Sequence, residues 1–115
     1  GDGHQTRELI FIQDAVNIII NTIEGRINTD VFNLSTGKEY SIRTYAQTIC
    51  NIVGYDFNKI KWDLDAFVGS KSKNLVNTHL KHFEFTSIEE GLEDTIDYYQ
   101  EMNRNKKVIG LKINP

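Results

Sequence analysis

The chain opens with GDGHQTRELIFIQDAV (residues 1–16), and the interpretation of the fold starts from this stretch. A turn containing two glycines leads to one arginine, Arg7, which is followed by the apolar run of residues 9–12 and by Asp14. The apolar run predicts a strand that is buried on both faces, and Asp14 predicts the N-cap of a helix. An arginine beside a flexible turn suits a phosphate or diphosphate, because the guanidinium presents a planar fork of donors to the oxygens.

Composition narrows the class of protein. The 115 residues favour one domain with an ordinary apolar share. The net charge of -3 argues against a general nucleic-acid binder. Cys50 is the one cysteine, which excludes a disulfide framework and suits a reducing compartment. The sequence contains neither an apolar run of about 18 residues, as a membrane span requires, nor a signal-peptide pattern. We therefore expect a soluble, cytoplasmic protein with neither a nucleic-acid nor a membrane partner.

Apolar periodicity and end signals predict three helices. The first begins after Asp14 and ends at Gly25, the second runs from Ser41 to Gly54, and the third begins with the capping box SIEE at Ser87. The apolar stripe of each helix is interpreted as core. These stripes are Val16, Ile19, Ile20 and Ile23; Ile42, Tyr45, Ala46, Ile49, Cys50 and Val53; and Ile88, Leu92, Ile96 and Tyr99.

Short strands are predicted around the helices, and together they indicate an α/β fold class. The further segments are strands at residues 31–34, 59–62 and 108–113, a short helix within residues 74–81, and a basic run at residues 103–107. This order predicts a mixed α+β piece with three main helices and short strands. A Gly-x-Gly-x-x-Gly turn is missing, so we expect this piece to lack a Rossmann nucleotide-binding core.

Several patterns resemble catalytic or binding motifs but are better explained as ordinary structure. YDFNK (residues 55–59) has the Tyr-x-x-x-Lys spacing of a dehydrogenase acid/base pair, yet it follows a helix-ending glycine rather than lying on a helix. STGK (residues 35–38) lacks the first glycine and the final hydroxyl of a phosphate loop. His79 and His82 have no third ligand nearby. We therefore expect no catalytic residue and no metal site in this chain.

Two basic positions remain as candidates for binding. Arg7 follows the opening turn, and Lys73 closes the flexible, cation-bearing loop GSKSK (residues 69–73). Glycine and serine let a backbone approach a ligand closely, and lysine supplies a point charge. The alternative for both residues is a solvated surface charge, which composition alone favours.

The order of the motifs resembles a known family. The opening pattern Gly-Asp-Gly-x-Gln-x-Arg-x-x-x-x-Ile-x-Asp-Ala-Val is similar to the start of the C-terminal substrate region of extended short-chain dehydrogenases that process nucleotide sugars. The resemblance covers residues 1–102, and residues 103–115 form a basic tail outside it. Trp62-Asp63, Gly69 and Lys73-Asn74-Leu75 are most similar to GDP-L-fucose synthases. The motifs that follow the opening lie at residues 32–37, 41–55, 62–63, 69–75 and 87–98.

The resemblance implies roles that the residues alone do not establish. It implies that Arg7 binds the diphosphate of a nucleotide sugar, that Lys73 lies near the nucleotide, and that Asp14 caps the first helix. It implies NAD or NADP as cofactor of a full-length enzyme, whose acid/base tyrosine and lysine would lie upstream of this chain. Ser35 and Val76 depart from the usual glycine and aspartate of the family, which indicates a divergent member or an altered sugar.

Two hypotheses follow for the function. The first is the substrate-binding portion of an epimerase, dehydratase or reductase, inactive by itself and without bound cofactor, and the absence of an initial methionine favours it. The second is a stand-alone, non-catalytic binding or assembly module descended from the same family. For the fragment we expect exposure of apolar surface that would face the missing domain, and hence self-association, with the strand at residues 108–113 as its site.

Overall fold

The computed structural model describes residues 1–108. Two 3-10 turns lie at Phe57–Lys59 and Thr78–Leu80. The described part of the chain is a small mixed α/β piece with three helices, which confirms the predicted fold class. In chain order its elements are strand β1 (Thr6–Arg7), helix α1 (Ile12–Ile23), strand β2 (Tyr40–Ser41), helix α2 (Ile42–Val53) and helix α3 (Ile88–Val108).

The two strands form an antiparallel pair that joins the opening of the chain to the start of α2. Thr6 lies opposite Ser41, and Arg7 lies opposite Tyr40. One residue beyond this pair, the N–H of Ile42 donates to the carbonyl of Gln5 at 3.0 Å. This pairing is what fixes the backbone position of Arg7.

The strand predicted at residues 9–12 is wrong. Residues 9–11 have no regular structure, and Ile12 is the first residue of α1. An apolar run forms a strand buried on both faces only when neighbouring strands pair with it. In residues 1–108 the sheet consists of β1 and β2, and residues 9–12 pair with neither strand.

The other predicted short elements fare differently. Residues 31–34 form no strand, and in the segment 59–62 only Lys59 belongs to a regular element, the first 3-10 turn. Within the predicted helix 74–81 the structure has the turn Thr78–Leu80. The basic run 103–107 continues α3, which ends at Val108, and the rest of the strand predicted at 108–113 lies outside the described residues. Strand propensity without a pairing partner is a weak signal, which explains the errors.

The predicted ends of α2 and the start of α3 are confirmed. Ser41 caps α2, with its Oγ accepting from the N–H of Thr44 at 3.0 Å. Gly54 ends the helix in the left-handed region, at φ 70°. Ser87 Oγ accepts from the N–H of Glu90 at 3.2 Å, as a capping serine does.

Asp14 does not cap α1, so its predicted role is wrong. Phe11 occupies the cap position with an extended backbone, and Asp14 lies within the first turn of the helix. The Asp14 carboxylate is buried and accepts two hydrogen bonds from Thr86, one from its N–H at 2.8 Å and one from its Oγ1 at 2.9 Å. It therefore ties α1 to the segment before α3. An acidic residue near a helix start suits both the cap and the first turn, so the pattern did not separate them.

The buried apolar residues are few, and α1 presents its apolar stripe to solvent. The predicted core stripe of α1 is wrong: its members are all more than a third exposed, and Ile23 is 80% exposed. The opposite side of the helix is the buried one, through Asp14, Ala15 and the fully buried Ile18. Periodicity identifies an apolar face correctly but does not say which neighbour covers it. The buried apolar residues of the described chain are Ala15, Ile18, Tyr45, Cys50 and Leu80.

The stripes of α2 and α3 are correct only in part. Tyr45 and Cys50 of α2 are buried, whereas Val53 at its end is 47% exposed. On α3 the predicted core residue Tyr99 is 62% exposed. Among the described helices, none combines the length and the apolar character that crossing a membrane requires.

Candidate functional site

Arg7 is held from both its backbone and its side chain. Its carbonyl accepts a hydrogen bond from the hydroxyl of Tyr45 at 3.0 Å. Its Nη1 donates to the carbonyl of Thr6 at 2.6 Å and to the carbonyl of Ser70 at 2.9 Å. Neutral acceptors therefore orient the guanidinium, which makes no ion pair in residues 1–108 but lies close enough to the Glu39 carboxylate to help lower its pKa.

The remaining donors of Arg7 are available to a ligand. A guanidinium has five N–H donors, and Nη1 makes the two bonds described above. Nη2 and Nε donate to no acceptor within residues 1–108, and Arg7 makes no ion pair there. Two adjacent N–H groups fixed in this way match the paired oxygens of a phosphate.

The loop of residues 70–73 lies beside β1, and this places Lys73 near Arg7. The N–H of Thr6 donates to the carbonyl of Lys71 at 2.8 Å, as in a strand pair. The backbone N–H of Lys73 donates to the Glu39 carboxylate at 2.7 Å, and its ammonium makes no ion pair in the described part of the chain. The loop is thus attached to β1 through its backbone.

Arg7 and Lys73 line one cleft, although they come from opposite halves of the sequence. The cleft has a volume of about 460 Å³. Apolar side chains form part of its wall, and Asn74 adds an amide. The structure therefore brings together the two binding residues that the sequence proposes. The lining residues are Arg7, Glu8, Ile10, Leu34, Lys73, Asn74 and Leu75.

Two other cavities lie close to this cleft and differ in chemistry. A cavity of about 340 Å³ between the residues before α1 and the start of α3 has no charged residue in its lining. A third, of about 650 Å³, contains Lys71 but also Asp2. The Asp2 carboxylate accepts from the N–H of His4, and this bond lowers its pKa and keeps it negative. Of these three cavities, the Arg7–Lys73 cleft is the one whose lining contains two cationic side chains, and Glu8 adds one carboxylate to it.

Glu39 supports the Arg7–Lys73 cleft, and no pattern in the sequence marked it as a candidate. It directly precedes β2, and its carboxylate accepts from the Oγ of Ser72 at 2.8 Å and from the N–H of Lys73 at 2.7 Å. The Ser72 hydrogen bond is the main cause that lowers the pKa of Glu39, while partial desolvation opposes it. The contacts join segments more than thirty residues apart, so neither spacing nor periodicity could reveal them.

Three backbone N–H groups of the loop STGK (residues 35–38) have partners within the chain. That of Lys38 donates to the Oγ1 of Thr36 at 3.1 Å. The N–H of Thr36 donates to Glu8 Oε1 at 2.6 Å, and the N–H of Gly37 donates to the Oγ of Ser35 at 3.1 Å. Glu8 therefore serves the loop rather than the ligand, and its other oxygen, Oε2, is buried without a hydrogen-bond partner in the described residues.

The remaining motif-like patterns lie where structural roles were predicted. Tyr55 follows the end of α2 and is exposed, and Lys59 ends a 3-10 turn, so the pair does not share a helix face. His79 and His82 are exposed, and residues 1–108 contain no group of three candidate metal ligands. Cys50 is buried in α2, which confirms the prediction for it.

Two curated proteins are similar in sequence to this chain. One is the GDP-L-colitose synthase of Yersinia pseudotuberculosis, 28% identical over 109 residues, which cover 91% of this chain and 35% of that protein. The other is the UDP-N-acetyl-alpha-D-glucosaminuronate decarboxylase of Bacillus cytotoxicus, 28% identical over 116 residues, which cover 91% and 36%. This chain is related to the extended short-chain dehydrogenases. It spans about a third of the length of both relatives.

The family resemblance is therefore confirmed, but no finer subdivision is. The two relatives differ in the nucleotide that their names contain, GDP in one and UDP in the other. No family model matches this chain. No solved structure matches it either.

The described residues do not fit the NAD(P) that the family uses. A dinucleotide of this kind binds where a parallel strand leads through a glycine-rich turn into a helix N-terminus. The sheet of residues 1–108 consists of one antiparallel pair, and the turns after its strands lack that glycine pattern. We accordingly assign no hydride-transfer step to the residues of this chain.

Proposed function

We propose that this chain is the substrate-binding portion of a nucleotide-sugar epimerase, dehydratase or reductase, and that it binds the diphosphate. The observation that supports the proposal is the cleft in which Arg7 and Lys73 meet. A diphosphate carries several charged oxygens on two adjacent phosphorus atoms, so two cations on separate segments can bind it from two sides. The names of both relatives include a nucleoside diphosphate, which is consistent with this chemistry.

The finer parts of the proposal concern the whole protein. We propose a GDP-sugar substrate of the kind used by GDP-L-fucose synthases, because Trp62-Asp63, Gly69 and Lys73-Asn74-Leu75 carry that resemblance. We propose NAD or NADP as the cofactor of the complete enzyme, bound by residues outside this chain, and a cytoplasmic location. It follows that the 115-residue chain alone neither binds the cofactor nor turns over a nucleotide sugar.

Calorimetric titration of the chain with GDP, UDP and GMP tests the diphosphate proposal. We expect GDP and UDP to bind more tightly than GMP, because the second phosphate reaches both cations. Arg7→Ala should weaken GDP binding by about 1.5–3 kcal/mol, the range for a hydrogen bond to a charged group. Lys73→Ala should weaken it in the same direction.

Matched control variants separate the site from the general charge of the protein. Arg26→Ala removes a cation at the end of α1, where Arg26 pairs with the exposed Glu24. Lys71→Ala removes a lysine from the same loop that does not line the cleft. Both controls should leave GDP affinity within a factor of two. Equal weakening by a control and by its matched site variant would refute the assignment, and so would equal affinity for GMP and GDP.

A non-catalytic binding or assembly module is the second candidate. The observation that favours it is the apolar stripe of α1, which includes Ile19 at 50% and Ile23 at 80% exposure. A contiguous apolar surface of this kind is typical of protein contacts. Sedimentation over a range of concentrations tests the idea: the native chain should self-associate, and Ile19→Gln with Ile23→Gln should abolish this. Monomeric sedimentation of the native chain at high concentration would exclude it.

A further inference from the structure

Glu39 connects three segments of the chain around the Arg7–Lys73 cleft. Its Oε1 accepts from the N–H of Lys73 at 2.7 Å, from the Oγ of Ser72 at 2.8 Å and from the Oγ1 of Thr6 at 3.3 Å. Its Oε2 also lies 2.8 Å from the Oγ of Ser72. The carboxylate therefore joins β2, which follows it, to β1 and to the loop of residues 70–73.

The loop depends on few other contacts to stay beside β1. The described hydrogen bonds between them are those from the Thr6 N–H and hydroxyl to Lys71 and from Arg7 Nη1 to Ser70. These bonds hold the first half of the loop. Beyond the loop, the carbonyls of Leu75 and Val76 accept hydrogen bonds from the side chains of Ser35 and Asn33. Between these two sets of contacts, the bonds from Ser72 and Lys73 to Glu39 fix the second half of the loop, which ends at the cleft.

Two cations bind one diphosphate well only when their separation is fixed before the ligand arrives, since ordering a loop on binding reduces affinity. Arg7 is fixed by its own backbone and side-chain bonds. Lys73 has a long, flexible side chain, so the position of its backbone decides the region that its ammonium can reach. Glu39 determines that backbone position through the Lys73 N–H.

We propose that Glu39 is a positioning residue of this cleft, a carboxylate that holds the loop of residues 70–73 so that Lys73 faces the same ligand as Arg7. The ligand part of this inference rests on the proposed function, whereas the part that concerns the loop does not. Glu39 is not itself a ligand-binding group, because Ser72, Lys73 and Thr6 already donate to its oxygens. Its lowered pKa, caused chiefly by the Ser72 hydrogen bond, agrees with a carboxylate that stays charged to accept these donors.

A charge argument alone predicts the opposite effect, and this makes the test sharp. Glu39 is an anion near two cations, so removal of its charge should tighten the binding of any anion. Loss of positioning should weaken it. Glu39→Ala removes both the charge and the acceptor oxygens, so the two explanations predict changes of different sign for this variant. Glu39→Gln removes the charge but keeps one acceptor oxygen for the Lys73 N–H, and therefore reports the effect of charge.

The experiment measures affinity and loop order in the 115-residue chain. Affinity for inorganic pyrophosphate and for GDP is determined by calorimetry for the native chain, Glu39→Ala, Glu39→Gln, Ser72→Ala and Glu101→Gln. Glu101 is an exposed residue of α3, so its variant makes the same charge change far from the loop. Amide hydrogen exchange of Lys73, followed by NMR, reports the order of the loop without a ligand.

Positioning predicts that Glu39→Ala weakens pyrophosphate and GDP binding about 5- to 20-fold and that Ser72→Ala weakens it in the same direction. Glu39→Gln, which keeps an acceptor oxygen, should weaken it less than Glu39→Ala. The double variant of Glu39→Ala and Ser72→Ala should be little worse than Glu39→Ala alone, because both changes remove one attachment. Exchange at the Lys73 amide should become faster in Glu39→Ala and in Ser72→Ala. Glu101→Gln should change neither measurement.

Other outcomes overturn the proposal or separate it from the proposed function. Tighter or unchanged binding by Glu39→Ala would overturn positioning, and so would unaltered Lys73 exchange in Glu39→Ala and Ser72→Ala. If the native chain binds neither pyrophosphate nor GDP, the proposed function fails, and the exchange data alone then decide whether Glu39 holds the loop. Far-UV circular dichroism checks that each variant is folded, and Ser72→Ala carries the test if Glu39→Ala is not.

Discussion

Asp14 should be one of the main determinants of stability in this chain, and its removal should cost far more than an ordinary surface change. The residue is 6% exposed and accepts both hydrogen bonds that Thr86 offers, at 2.8 and 2.9 Å. These bonds connect residues 72 positions apart. We therefore choose Asp14→Ala as the perturbation, with Thr86→Val and Asp14→Asn as companions.

The expected loss follows from the groups that Asp14→Ala leaves without partners. The N–H of Thr86 would lose its acceptor, which costs about 1–3 kcal/mol for a buried group. The favourable placement of a negative charge in the first turn of α1 adds about 0.3–1 kcal/mol. With the hydroxyl bond included, we expect a total loss of about 2–4 kcal/mol, a large part of the roughly 5–15 kcal/mol that holds a domain folded.

Urea unfolding followed by circular dichroism measures this loss. Asp14→Asn keeps one acceptor oxygen and should lose about half as much. Thr86→Val removes the hydroxyl and keeps the N–H, so it should cost about 1 kcal/mol. Since the two residues are in contact, the loss in the double variant should fall short of the sum by more than about 0.5 kcal/mol.

Asp30→Ala is the matched control, because Asp30 is an exposed carboxylate outside the helices. It should change stability by less than about 0.5 kcal/mol. A loss below about 1 kcal/mol for Asp14→Ala, or additive losses for the two residues, would refute the assignment of a tie between α1 and the start of α3.

Two further predictions concern the residues that support the opening of the chain. Gly3→Ala should lower stability by about 2 kcal/mol or more, because Gly3 has φ 81° and an added Cβ would overlap the ring of Trp62. The control is Gly25→Ala, since Gly25 has a similar φ of 74° with open space around the added Cβ. A thermal melt should show a smaller loss for the control, and equal losses would exclude the overlap. Tyr45→Phe should cost about 1 kcal/mol at neutral pH through its bond to Arg7. Burial raises the pKa of Tyr45. The contribution of the neutral phenol to stability is therefore complete below the ordinary tyrosine pKa and is lost as the pH rises through the raised value. Tyr45→Phe should lack this alkaline loss of stability, and identical alkaline unfolding profiles of the native chain and the variant would contradict the prediction.

Local signals in the sequence predicted the helices well. Ser41, Gly54 and Ser87 mark helix ends through contacts within a few residues, so their roles follow from nearby sequence alone. The apolar run at residues 9–12 misled the strand prediction, since a strand depends on partners that are distant in the chain. Asp14 was similarly misassigned because its partner, Thr86, is distant.

In the sequence, only the family resemblance favoured binding roles for Arg7 and Lys73. From the residues alone, solvated surface charges were the favoured explanation for Arg7 and Lys73. Both residues line one cleft because the loop of residues 70–73 lies beside β1, and the identity of Arg7 or Lys73 does not predict this placement of the loop. Glu39 stayed hidden for the same reason, because its partners Thr6 and Ser72 are each 33 residues away.

The exposed stripe of α1 also affects how this chain should unfold. Val16, Ile19, Ile20 and Ile23 are already between 39% and 80% exposed in the folded chain. Unfolding therefore transfers less new apolar surface to water than is usual for this length. The heat-capacity change should fall below the common value of about 12–15 cal/mol/K per residue, and the urea dependence of the unfolding free energy should be shallow. A broad melting or urea transition is consequently a property of the native fold and not a sign that the fold has been lost.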